Sequence, residues 1–184
     1  EELTVTKERP APPIDSIAQL DFPDVQHTTL ANGMTLHYAQ RDAIPATYVT
    51  LSFDAGSSAD PAGKRGLESL ALGLFEEGTT SMSSREIAET SERLGANISL
   101  GGGADRSSFT LSALSANLVP SLELLSDIVR NPAFAQSEID RVRAQRITGV
   151  EQELRTPASI AQRTAAPLIY GADSPYAGPE SGTV

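Results

Sequence analysis

The stretch GLESLALGLFEEGT, residues 66–79, decides the fold of this chain. Its apolar side chains recur at spacings of three and four, which is the pattern of an α-helix with one buried stripe. Gly78 follows as a residue that can end the helix. The stretch therefore predicts a helix that packs against another layer through Leu67, Leu70, Ala71, Leu74 and Phe75.

Strands are predicted on the N-terminal side of this helix. Residues 47–53 alternate apolar and polar side chains, which places Val49, Leu51 and Phe53 on one buried face. Further upstream, residues 26–30 and 34–40 flank Asn32-Gly33, a pair that suits a two-residue type I′ turn. We therefore expect a hairpin followed by a third strand.

The only histidines of the chain, His27 and His37, lie in this hairpin. A two-residue turn at Asn32-Gly33 sets Thr28 opposite His37 and His27 opposite Tyr38. Because successive side chains of a strand alternate between the two faces, this register puts the imidazoles on opposite faces. We therefore expect two ordinary strand histidines that do not bind one ion.

A second helix is predicted on the C-terminal side of the stretch. Ser83 followed by Glu86 forms a capping box, and Gly95 can supply the left-handed stop. Residues 97–103 and 107–114 then have strand patterns, with a bend or bulge expected at Gly101-Gly102-Gly103.

Three more helical patterns complete the chain, at residues 118–129, 137–154 and 157–170. The order strands, helices, strands, helices favours an α+β fold, in which a mixed or antiparallel sheet is covered on one face by helices.

Residues 1–23 are rich in proline and charge, and we expect an extended arm or linker there. Residues 24–184 are expected to form a single domain. The turn-rich end after Pro175 lacks a final strand, which favours a fragment of a larger multi-domain protein.

Composition disfavours several classes of partner. The 24 acidic residues outnumber the 14 Lys and Arg residues, and a net charge of -10 repels nucleic acid and anionic lipid surfaces. No apolar run approaches the roughly 20 residues of a membrane span. The absence of cysteine excludes thiol nucleophiles and cysteine metal sites.

Short phrases in a fixed order carry a family resemblance. They are Leu30-Ala31-Asn32-Gly33-Met34, Asp54-Ala55-Gly56-Ser57, Gly66-Leu67, Glu77-Gly78-Thr79, Leu94-Gly95-Ala96 and Tyr170-Gly171. Over residues 26–184 the chain resembles the pitrilysin/insulinase family of zinc metallopeptidases, the inverzincins. The resemblance implies the α+β metallohydrolase domain that mitochondrial-processing-peptidase-like proteins share.

The family's zinc motif is missing at the place where the resemblance puts it. In the family, the helix after Gly66-Leu67 carries HxxEH, whose histidines bind zinc and whose Glu activates water. Here those positions are Ser69, Leu72 and Gly73, and none can take these roles. The family's third ligand, a Glu, falls at Gly149 or, with a shifted alignment, at Glu151. The resemblance thus implies an inactive-type domain without catalytic or cofactor-binding residues, and zinc in a catalytic partner half.

Other sources of chemistry are weaker. The carboxylates of Glu68, Glu76 and Glu77 are typical of a solvated helix surface, and the serines at 81–84 lack a GxSxG elbow. An alternative metal site would have to use carboxylates such as Glu68, Glu76 and Glu151. The scarcity of histidine argues against such a site.

The resemblance also implies a function. Family enzymes are built from homologous halves, so we expect this chain to be inactive in proteolysis alone and to help a homologous HxxEH half, fused or separate, to enclose an unfolded peptide. The alternative is a purely structural scaffold or assembly subunit of the same fold. The resemblance further implies a bacterial protein in the periplasm or another extracytoplasmic compartment.

Overall fold

A computed structural model describes residues 22–41 and 43–183. The arm expected at residues 1–23 lies outside the described residues, apart from Phe22 and Pro23. In chain order the strands and helices of the described part are β1 (Val25–Thr29), β2 (Thr35–Ala39), β3 (Ala46–Phe53), α1 (Leu67–Phe75), α2 (Ser84–Leu94), β4 (Asn97–Gly102), β5 (Ser107–Leu114), α3 (Leu118–Arg130), α4 (Gln136–Glu153) and α5 (Pro157–Tyr170).

Contacts divide the chain into two compact units, residues 1–44 and residues 45–184. The first unit contains β1 and β2, and the second contains all the other elements. The single domain expected for residues 24–184 stays a prediction.

The hairpin of β1 and β2 forms, but its predicted register is wrong. His27 pairs with His37, and Thr28 pairs with Leu36. The Gly33 amide donates to the Leu30 carbonyl and the Leu30 amide donates to the Met34 carbonyl, while Gly33 has a φ of 85°. This is the three-residue loop with a glycine bulge, not a two-residue turn. One extra loop residue shifts the pairing by one position, so both imidazoles lie on the same face.

The second unit is built on an antiparallel sheet with the strand order β3-β5-β4. Phe109, Leu111 and Ala113 of the central strand are buried, and Leu111 has no exposed surface. The alternate residues Ser108, Thr110 and Ser112 are half-buried on the other face. A strand whose apolar residues alternate in this way buries one face only.

Helices cover the apolar face of this sheet. Leu125 of α3 packs with Phe109 and Leu111, and Leu72 and Phe75 of α1 join the same cluster. A second cluster joins Ile87 of α2 to α3. The α+β architecture and its one-sided helical layer are confirmed.

The glycines at the end of β4 do not interrupt the sheet. Every residue of β4 has a partner on β5, from the pair of Asn97 with Ser112 to the pair of Gly102 with Ser107. The expected bend or bulge is therefore wrong. The Gly103 amide donates to the Arg106 carbonyl and closes the turn into β5. Gly102 instead leaves room for the Glu68 side chain, because a Cβ at Gly102 would lie 2.2 Å from Glu68 Oε1.

The start and end of α2 follow the prediction from sequence. The Ser83 hydroxyl accepts from the Glu86 amide, the Glu86 carboxylate accepts from the Ser83 amide, and Gly95 is left-handed at the C-terminus. Across residues 22–41 and 43–183, no helix has the length and apolarity needed to cross a membrane.

Asp127 ties the loop before α2 to the end of α3. Ser81 Oγ donates to Asp127 Oδ2 and Asn131 Nδ2 donates to Asp127 Oδ1, both at 2.8 Å. Hydrogen bonds from Thr79, Asn131 and Ser81, in this order of effect, hold the pKa of Asp127 below its ordinary value of 3.8. These bonds favour the ionised carboxylate of the folded state.

We predict that Asp127→Asn flattens the acid dependence of stability. A carboxyl whose pKa is lowered by folding stabilises the native state above its unfolded pKa, and this contribution is lost as the pH falls through the folded pKa. The melting temperature of the wild type should therefore exceed that of the variant near neutrality, and the difference should shrink as the pH falls below 3.8. Thermal unfolding across this range measures it, and a difference independent of pH would contradict the prediction.

Candidate functional site

The first turn of α1 is capped by a residue outside the helix. Asp60 Oδ2 accepts from the Gly66 and Leu67 amides at 2.8 and 3.1 Å, and Oδ1 accepts from the Glu68 amide at 2.9 Å. A carboxylate at a helix N-terminus satisfies free amides and interacts favourably with the helix dipole. Reasoning from sequence missed Asp60, because it lies six residues before the N-terminal cap position, Gly66.

The three positions that replace the zinc motif lie on α1. Ser69 is half-buried, and its backbone carbonyl accepts from Arg146 Nη2 of α4 at 2.8 Å. Leu72 packs into the core cluster around Phe109 and Leu111. At Gly73 a Cβ would lie 3.7 Å from Val142 Cγ1 of α4.

The third-ligand region lies on the second half of α4. A Cβ on Gly149 would meet nothing within 4 Å, and Glu151 is exposed. Nearer to α1, the same helix contributes Val142 and Arg146, an apolar side chain and a cation. The surface that α4 presents to α1 is therefore a packing surface.

The residues at these positions do not fit a zinc ion. A hydroxyl, an isobutyl group and a hydrogen atom replace two imidazoles and a carboxylate, and zinc sites of this kind need three protein ligands. The Arg146 guanidinium, held at the Ser69 carbonyl, adds a positive charge that opposes a divalent cation.

The alternative carboxylate site is not assembled either. Glu68 and Glu76 are eight residues apart along the α1 direction, a rise of about 12 Å, and Glu151 lies exposed on α4. In the described part of the chain, no group of three or more His, Cys, Asp or Glu side chains is placed to hold a metal ion.

An ionic contact joins the end of α1 to α4. Arg141 forms salt bridges with Glu77 and with Glu138, the latter at 2.8 Å. The hydrogen bonds that Arg141 donates to the carboxylates of Glu77 and Glu138 raise its pKa above the ordinary value. Glu77, which belongs to one of the phrases that carry the family resemblance, therefore links the end of α1 to α4.

An open apolar groove of about 440 Å³ lies beside α1 and the sheet. Its polar side chains are Glu68, Ser107 and Asp60. Ser107 Oγ lies 2.6 Å from both the Ala55 carbonyl and Glu68 Oε1, so one hydroxyl hydrogen faces two acceptors. The apolar lining is formed by Phe53, Leu67, Leu72, Phe75, Phe109 and Val129, among others.

The C-terminal segment, residues 174–183, packs onto the start of α1. Arg65 Nη1 and Nη2 donate to the carbonyls of Pro175 and Ser174 at 2.5 and 3.0 Å. A Cβ on Gly66 would lie 2.6 Å from the Cα of Gly182, so the two glycines permit close backbone contact. Arg163 of α5 holds the same segment through Ser181 and Gly182.

Comparisons with a family model and with known proteins agree on one family. A family model described as insulinase, peptidase family M16, matches residues 37–170. The mitochondrial-processing peptidase subunit alpha of Solanum tuberosum is 27% identical over 154 residues, which cover 84% of this chain and 29% of that protein. An uncharacterized zinc protease of Rickettsia bellii (strain RML369-C) is 26% identical over 110 residues, covering 60% of this chain and 27% of that protein.

A solved structure shares the fold. The crystal structure of a peptidase M16 inactive domain from Pseudomonas fluorescens superposes with a TM-score of 0.82 at 28% identity, covering 86% of this chain and 39% of that one. The chain thus spans less than a third of the two curated relatives and about two fifths of the solved chain.

We predict that removing the Asp60 carboxylate destabilises the second unit. Asp60→Ala leaves the Gly66 and Glu68 amides without this acceptor, while the Leu67 amide keeps its bond to the Lys64 carbonyl, and should lower the free energy of unfolding by about 1–2 kcal/mol. Asp60→Asn keeps one side-chain oxygen and should lose less. Urea unfolding measures both, and an alanine variant as stable as the wild type would refute the capping role.

Two matched glycine variants test the packing around α1. Gly73→Ala should raise the free energy of unfolding by up to about 1 kcal/mol, because alanine favours the helix interior and its Cβ fits against Val142. Gly102→Ala should lower it by about 0.5–1.5 kcal/mol, because its Cβ displaces the Glu68 carboxylate from its hydrogen bond with Ser107. Truncating Glu68 to alanine should reduce the cost of Gly102→Ala, a coupling that a double-mutant cycle measures. Additive effects would contradict the overlap.

Proposed function

The chain belongs to the insulinase family, peptidase family M16, and we propose that it acts as a zinc-free domain that helps a catalytic HxxEH half to enclose an unfolded peptide. The observation that carries the proposal is the α1–α4 contact. Ser69, Leu72 and Gly73 fill the motif positions. Arg146 of α4 donates to the Ser69 carbonyl, Val142 of α4 lies beside Gly73, and Leu72 packs into the core. The fold is kept while the ligands of a catalytic zinc are replaced.

The comparisons support a non-catalytic role. The solved relative is described as an inactive domain, and it is 28% identical to this chain. The potato relative is named as a subunit of a processing peptidase, which favours a protein that works with other subunits. The partner proposed here is a homologous half that carries HxxEH, either fused to this chain or separate.

The edge of the sheet offers one way to hold a peptide. Within the described sheet, β4 pairs with β5 alone. The Gly103 amide points toward β5 because it donates to Arg106, and backbone groups of an antiparallel strand alternate in direction. The amides of Ile98, Leu100 and Gly102 therefore point away from β5. An extended peptide can pair with these groups by strand addition.

The groove beside α1 offers a place for a side chain of such a peptide. It adjoins Ser107, the pairing partner of Gly102 at the end of β4. Its apolar lining favours an aliphatic or aromatic side chain, because burial of apolar surface drives such binding. Leu72, at one of the replaced motif positions, becomes part of a binding wall in this proposal.

The first test measures proteolysis. The purified chain, supplied with zinc and an internally quenched unstructured peptide, should give no turnover above the zinc-only control. Addition of the HxxEH-containing half encoded beside or fused to this chain should give turnover that requires both proteins. Turnover by this chain alone that a chelator abolishes would overturn the proposal. A partner whose activity is unchanged by this chain would favour the scaffold role.

A second test addresses the sheet edge. Peptides of one sequence, N-methylated at every second residue in either of the two alternating phases, should differ in binding to the complex. The phase that removes the amides facing β4 loses the ladder hydrogen bonds, whereas the other phase keeps them. Equal loss in both phases, or no loss in either, would argue against strand addition.

A further inference from the structure

The two histidines of the hairpin face each other across the strands. His27 pairs with His37, and both side chains are exposed. The Nδ1 atoms lie 2.5 Å apart, and the ring centroids are 4.6 Å apart with the planes at 87°. Each ring nitrogen that does not carry a hydrogen is a potential metal ligand.

The position of the pair in the ladder brings the side chains close. The Leu30 amide donates to the Met34 carbonyl at 2.8 Å, which fixes the alternation of hydrogen-bonded pairs along the hairpin. Counting from there, His27–His37 is a non-hydrogen-bonded pair. At such positions the Cα atoms are about 4.5 Å apart, nearer than at the alternate positions.

We propose that His27 and His37 form a two-imidazole site for a divalent transition-metal ion of the class that prefers nitrogen ligands, namely Zn²⁺, Ni²⁺ or Cu²⁺. A metal–nitrogen bond of about 2.0–2.1 Å at tetrahedral or square geometry places the two nitrogens about 2.9–3.4 Å apart. The present separation of 2.5 Å has to open by less than about 1 Å, which rotation of two exposed side chains provides.

The surroundings favour a cation at this pair. From Phe22 to Gln40 the sequence contains no lysine or arginine, and its one acidic residue is Asp24. A net charge of -10 also draws cations to the chain. The neighbours on the same face are Val25, Thr29, Thr35 and Ala39. Water completes the coordination shell, so the site is open and exchanges its metal readily.

The sequence makes this site easy to isolate in an experiment. The chain contains no other histidine and no cysteine. Metal binding through imidazole can therefore come from this pair alone. The pair involves none of the residues of the α1–α4 contact, so the outcome of this test neither supports nor contradicts the proposed role in enclosing peptides.

The experiment is a Ni²⁺ titration of the full chain at neutral pH, followed by calorimetry and by NMR of the imidazole protons. We expect one ion per chain, with both histidine signals broadened at the same metal concentration. His27→Ala and His37→Ala should each weaken binding by about tenfold or more, because the second imidazole binds within the same molecule.

The matched control exchanges two neighbouring residues. The double variant His27→Thr, Thr28→His keeps composition and charge but moves one imidazole to the opposite face, where residue 28 pairs with Leu36. It should bind Ni²⁺ as weakly as the alanine variants. Equal affinity of the exchanged variant and the wild type would overturn the proposal, as would wild-type binding no tighter than that of the single variants. Retained NMR dispersion in each variant shows that the hairpin still folds.

Discussion

The apolar stripe of α1, buried against the central strand, is the constraint on which the second unit depends. Phe75 packs edge-to-face on Phe109 with ring centroids 5.0 Å apart, and Leu72 joins the cluster that contains the fully buried Leu111. Full burial of a side chain such as Leu111 contributes roughly 1.5–3 kcal/mol, and the half-buried Leu72 and Phe75 contribute less. The helix cannot rotate without exposing these groups, so its other residues are fixed in direction as well. Contacts of Asp60 at its start and of Arg141 near its end restrict the remaining motion of the helix.

This constraint explains how the family's fold is kept although Ser69, Leu72 and Gly73 stand at the positions of the zinc motif. In a catalytic relative, the face of the helix that carries HxxEH must remain polar and open to water. Here Leu72 on that face joins the core, while Arg146 and Val142 of α4 close over Ser69 and Gly73. In the function proposed above, packing at these positions takes the place of zinc coordination, and the edge of β4 and the groove beside α1 are the surfaces offered to a peptide.

In the hairpin, the number of residues in the loop decides whether the two histidines face each other. The pair Asn32-Gly33 is compatible with both a two-residue and a three-residue loop, because glycine accepts a positive φ in either. With three loop residues His27 meets His37, and with two the imidazoles would lie on opposite faces. Asn32 contributes to the observed choice, because its Oδ1 accepts from the Met34 amide at 3.1 Å. A local side-chain contact thus bears on whether the chain has a candidate metal site.

The sequence by itself determined the order of elements, the alternation of β5, the capping box of α2 and the replaced residues at 69, 72 and 73. These features depend on local periodicity, on contacts within a few residues and on side-chain chemistry. Tertiary structure alone decided the hairpin register, the role of Asp60 as a cap and the close approach of the Glu68 side chain to Gly102. Each of these depends on how the backbone turns between neighbouring elements or on which distant atoms meet. Local patterns carry little information about such contacts, because a carboxylate or a glycine has the same local preferences whatever it later touches.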